Sequence, residues 1–285
     1  LLIFLLPFTH HLNKAAAKSL AEFWPILEVT EVQYSRLAYQ LTTLPRRLGW
    51  LSLVFGLPFA AMSVIASPAS WGLSGSSSLF MIIYRSAIAF ALMAFSAAFF
   101  FHTVHQLRIV DHLQRMPSKI SLFQTSPVYA LSSLTARTGI GIAILIYYLG
   151  FLNYGLRIFG PRPPMSLVDQ FALGLLLLSS VASFIIPLLG MYDRLVNEKA
   201  RALYEANRRI ELSIGGLHEQ VDSATAEGRD TVNKNLASLL LEAETLSKMP
   251  TWPWRPETLR GFLGAITLPV IVWLITTMLD RLVLR

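Results

Sequence analysis

The chain has 285 residues, of which 54% are hydrophobic and 14% charged, with a mean hydropathy of +0.52. An ordinary soluble domain is about 25% charged, so this composition excludes a water-soluble globular protein and points to the lipid bilayer as the first partner. The formal charge of +7 does not imply nucleic acid, because the basic residues recur on alternate linkers instead of forming one stripe. The absence of cysteine excludes disulfides, thiolate metal sites and a cysteine nucleophile.

Apolar stretches that approach the ~20 residues needed to cross a bilayer core lie near 49–67, 80–101, 138–158, 167–191 and 261–279. Residues 1–8 read as the end of a further apolar helix. The expected fold is therefore all-α, a polytopic transmembrane helix bundle of five full spans plus a truncated N-terminal one. The linker 10–48 carries Lys14, Lys18, Arg36, Arg46 and Arg47, and its portion 15–23 reads as an amphipathic helix lying on the membrane surface. The linker 67–79 carries no charge. Placing the basic linkers 10–48, 102–137 and 192–260 inside, and 68–79 and 159–166 outside, satisfies the positive-inside rule at every turn. The expected location is the cell membrane, crossed several times.

In the 80–101 stretch, Ala87, Ala91, Ala94 and Ala98 repeat at the helical spacing that lets membrane helices approach closely. Arg85 interrupts the same stretch, where a central Arg costs ~2.5–3.5 kcal/mol on insertion scales. Asp169 and Asp280 fall at the same outer level and Arg157 ends another span, so these four residues are expected to form an intramembrane charge network. That network is a structural staple, or else Arg85 and Asp169, with Asn153 and Gln170, form the polar lining of a pathway. Just past the stretch, His102, His105 and His112 stand at offsets of three and seven beside Asp111. One shared face would suit a divalent metal, but no cysteine or second ligand cluster accompanies it. The expectation is no metal and no cofactor, with interfacial histidines open to pH. The segment 118–137 reads as interfacial or as an elbow under the bundle. Pro58, Pro187 and Pro269 each interrupt a different span and are read as shaping it.

Beyond 191 the chain reads as a cytoplasmic coiled-coil-like helical hairpin over 192–249. Ala200, Leu203, Asn207, Ile210, Ile214, Leu217 and Val221 fall at successive a and d positions, and Leu203, Asn207, Ile210, Ile214 and Leu217 are the expected partner contacts. Asn207 either fixes register at an a site or stands solvated on a helix that hugs its own second half. After a turn at 222–230, Val232, Leu236, Leu239, Ala243 and Leu246 resume the spacing. Pro250, Pro253 and Pro256 keep their predecessors extended, which makes 249–257 a strap rather than a helix. Three parts follow: a bundle with an interfacial N-terminal linker at 1–191, the hairpin at 192–249, and the strap with the last membrane helix at 250–285.

No phosphate-binding loop, GxGxxG after a strand, GxSxG, paired acidic motif or TVGYG filter is present, so enzyme activity has no residue-level support. The segments Leu41-Thr-Thr-Leu-Pro45, Ser133-Leu-Thr-Ala-Arg-Thr-Gly-Ile-Gly141 and Pro250-Thr-Trp-Pro-Trp-Arg-Pro-Glu-Thr-Leu-Arg-Gly-Phe-Leu263 resemble recurring patterns in uncharacterised bacterial polytopic membrane proteins. That family has no assigned activity, so the resemblance carries over no functional residue. The expected function is a noncatalytic membrane protein that self-associates as a homo-oligomer or joins other membrane subunits through its hairpin. The alternatives are a homo-oligomeric channel or small transporter, and a sensor that signals through the hairpin.

Overall fold

The computed structural model describes residues 2–66, 78–155, 167–221 and 226–283. Among these the chain is helical throughout: α1 (Leu2–Phe23), α2 (Glu31–Thr42), α3 (Arg46–Ala66), α4 (Leu79–Arg115), α5 (Ser126–Gly155), α6 (Leu167–Ile185), α7 (Leu189–Val221), α8 (Ala226–Lys248) and α9 (Pro256–Val283). Local chemistry sets several of the starts. Thr30 and Gln33 form a reciprocal capping box ahead of α2, with Thr30 N–H donating to Gln33 Oε1 at 2.8 Å and Gln33 N–H donating to Thr30 Oγ1 at 3.4 Å. The Ser78 hydroxyl accepts the Met81 N–H at the head of α4. Pro256 opens α9, where its missing N–H would have no helical partner in any case. Pro187 tightens the chain into a 3-10 turn at Ile186–Leu188, so that α7 follows α6 almost without a break.

Among the described residues three helical stretches are long and apolar enough to cross a membrane: Leu79–Arg115, Ser126–Tyr147 and Leu173–Gly216. In the first and third, only 22% and 28% of the most apolar window is buried, against 61% in the second. Helix α5 is therefore the centre of the bundle, packed on α1, α6 and α9, while α4 and α6 turn apolar side chains outward. Phe80, Ile83, Phe171 and Leu178 are all exposed. Water would not tolerate so much contiguous apolar surface, and a bilayer does. Helix α4 has 37 residues, about 55 Å at 1.5 Å per residue, which exceeds a hydrocarbon core of about 30 Å. Its lower third must emerge from the apolar layer.

Two glycines let α5 hold its central place. A Cβ on Gly139 would stand 2.9 Å from the Ser180 carbonyl of α6 and collide with the Phe262 ring of α9, and one on Gly141 would collide with the Phe8 ring of α1. Ser180 Oγ donates to the Gly139 carbonyl at 2.8 Å, which tightens the α5–α6 approach. Of the Ala87, Ala91, Ala94 and Ala98 stripe, Ala94 meets Gly56 of α3 backbone to backbone, while Ala87 is exposed.

The lower parts of the helices share one apolar core. It takes Ala16, Leu20 and Phe23 from α1, Leu37 and Leu41 from α2, Val110 and Leu113 from α4, Leu131 and Leu134 from α5, and Met191 and Leu195 from α7. Each such side chain contributes about 1.5–3 kcal/mol of transfer free energy when fully buried. Below it the α1–α2 and α4–α5 connections clip together, with Glu28 N–H donating to Pro117 O at 3.2 Å and Lys119 N–H donating to Ile26 O at 2.9 Å. The segments 10–48, 102–137 and the start of α7, separate basic linkers in sequence, thus form one compact base.

The segment 15–23 is the lower half of a continuous α1, with Ala16, Leu20 and Phe23 fully buried. Its apolar positions face a protein core.

Candidate functional site

Helix α7 leaves the base carrying two cations that each seize the end of another helix. The last carbonyls of a helix lack internal partners and carry partial negative charge. Half-buried Arg194 takes those of α4: Nη1 donates to Gln114 O at 2.6 Å and Met116 O at 2.9 Å, and Nη2 donates to Ser118 O at 3.4 Å. Lys199 takes those of α8, with Nζ 2.7 Å from both Ser247 O and Met249 O. These bonds span 48 to 50 residues, so α7 and α8 run antiparallel as a packed pair anchored at its root. The strap after α8 stacks onto the same root through a run of rings. Tyr192 lies 4.7 Å from Trp252, Trp252 lies 4.8 Å from Trp254, and Phe184 lies 5.4 Å from Trp254 and 4.3 Å from Phe262.

The inward line of this pair is offset from the heptad. On α7, Ala206 is buried and Leu203, Ile210 and Ser213 are half-buried, whereas Asn207 and Ile214 are exposed; the Leu217 side chain lies outside the described residues. A straight helix of 3.6 residues per turn drifts about 20° per heptad against a strict 3.5 repeat, and the small Ala206 admits the close approach. On α8, Leu236, Leu239, Ala243 and Leu246 turn inward. What remains outside includes Tyr204 and Leu212, two turns apart on α7, and Leu240 and Leu241 on α8, at 70%, 66%, 52% and 64% exposure.

The three histidines part company. His102 is buried, and its Nε2 lies 2.7 Å from Asn13 Oδ1, which selects the neutral tautomer that donates from Nε2. His105 is half-buried. His112 is exposed. No group of three or more His, Asp or Glu side chains is arranged to hold a metal among the described residues. The polar face of α4 instead continues into the core, where Gln106 Nε2 donates to Leu41 O at 3.0 Å and Gln114 is fully buried.

Of the expected charge network, Arg85 is half-buried on α4, Arg157 lies outside the described residues, and Asp169 and Asp280 sit on α6 and α9 with their side chains outside them. The side chains of Asn153 and Gln170 are likewise outside the described residues. Sequence reasoning missed Arg194 and Lys199 as helix-end clamps. Both looked like ordinary basic-linker residues, and their acceptors lie some 50 to 80 positions away. Compared with protein-family models, with curated proteins and with solved structures, the chain matches none.

Proposed function

We propose that this is a noncatalytic integral membrane protein that self-associates through the α7–α8 pair, held on the cytoplasmic side. The observation that carries the reading is the set of large apolar side chains left uncovered on two otherwise polar helices. Tyr204 and Leu212 follow the charged run of α7 that begins at Asp193, and Leu240 and Leu241 lie on the polar helix α8; exposed apolar surface of this kind marks contact with another protein. The firm root supplied by Arg194, Lys199 and the stacked rings supports the same reading, because a preorganised contact element loses less entropy on binding. The five-span arrangement is part of the proposal, since α3 and α9 also carry long apolar runs with exposed Val54, Phe55, Leu268 and Ile275.

The test is the mass of the purified full chain in detergent, with the detergent contribution subtracted. The wild type should run as a multimer at micromolar concentration, and the double variant Leu240→Ser, Leu241→Ser should run as a monomer of unchanged helical content. A monomeric wild type, or a variant of undiminished mass, would overturn the self-association.

A further inference from the structure

The lower ends of α1 and α5 and the start of α9 enclose a cleft of about 220 Å³ with a mainly polar wall. Three cations line it, Lys18 from α1, Arg137 from α5 and Arg255 from the end of the strap, against one carboxylate, Glu22. Glu22 already lies 3.7 Å from Lys18 Nζ, which leaves the charges of Arg137 and Arg255 unbalanced within the cleft. Arg255 is held in place rather than free to swing away: its Nη2 lies 3.4 Å from Ser126 Oγ, and its guanidinium carbon lies 5.6 Å from the centre of the Tyr129 ring. Arg137 makes no ion pair among the described residues.

The hydroxyls of Ser126 and Ser133 stand on the same wall and can donate to an oxyanion. The volume is below the ~300–1,000 Å³ of ordinary small-molecule sites, which suits one compact anionic group. A planar guanidinium favours phosphate, whose oxygens match its fork.

We propose that this cleft binds an anionic phosphate group with no cation beside it, supplied either by the headgroup of an anionic phospholipid or by free phosphate. The site is independent of the hairpin contact.

The experiment is thermal unfolding of the full chain in uncharged detergent, alone and titrated with inorganic phosphate, phosphatidylglycerol or phosphatidylcholine. A rise in midpoint with phosphatidylglycerol alone assigns the lipid source, and a rise with inorganic phosphate assigns the free ion. In either case Arg137→Gln and Lys18→Gln should each weaken the effect about tenfold, while Lys119→Gln, a cation outside the cleft paired with Glu28, should leave it unchanged. Lys18 is largely exposed, so its variant folds even if Arg137→Gln does not. No shift with either anionic probe, an equal shift with phosphatidylcholine, or an equal loss in Lys119→Gln would overturn the proposal.

Discussion

Arg194 holds three carbonyl oxygens at the end of α4, and the Met side chain of Arg194→Met has no donor for them. Hydrogen bonds from a charged donor are worth about 1.5–3 kcal/mol each when buried; with the side chain half-buried, the expected loss is about 2–3 kcal/mol in unfolding free energy, read by denaturant titration in detergent. Arg115→Met is the comparison, since its pair with Asp111 is an exposed i,i+4 contact that should cost under about 0.5 kcal/mol. Equal losses would refute the clamp. Residue types were legible at this scale and environments were not: nothing adjacent to His102 in sequence distinguishes a buried, Asn-bonded imidazole from the exposed His112.

Among the elements, α5 shows how a helix position is set by what is missing from its surface. Gly139→Ala should destabilise by about 1–3 kcal/mol, because the new methyl meets the Ser180 backbone and the Phe262 ring together. Gly215→Ala, with nothing within 4 Å of its Cβ, should instead stabilise α7 by up to about 1 kcal/mol. Thermal midpoints of the two variants should therefore move in opposite directions, and a shared direction would contradict the packing described. Sequence periodicity located the apolar helices and the strap that separates α8 from α9, where prolines leave the backbone little choice, but it read 222–230 as a turn where α8 already begins at Ala226. On α7 the line turned toward α8 keeps Leu203 and Ile210 of the heptad and takes Ala206 beside Asn207, because periodicity reports hydrophobicity alone. The line actually buried includes Ala206 and excludes Asn207, a choice made by interhelical distance.

Over the whole molecule, the alternation of basic and nearly uncharged linkers was readable in the sequence. That the basic segments share a single core was not, because its contacts join α1, α2, α4, α5 and α7 across the length of the chain. The same non-locality hid the cleft between Lys18, Arg137 and Arg255. The absence of cysteine makes sidedness directly measurable. Single substitutions Ser76→Cys and Ser223→Cys should react with an impermeant thiol reagent from opposite faces of sealed vesicles. Labelling of both from one face would remove the five-span arrangement.

The uninterrupted passage from α6 through the Pro187 turn into α7, with Arg194 and Lys199 only five residues apart on the emerging helix, has a mechanical consequence. The pair is a cantilever with a clamped root. A sideways load at its tip is delivered as torque on the lower end of α4 and on the strap, and a copy docking on the outer leucines would grip the bundle of its neighbour by the handle.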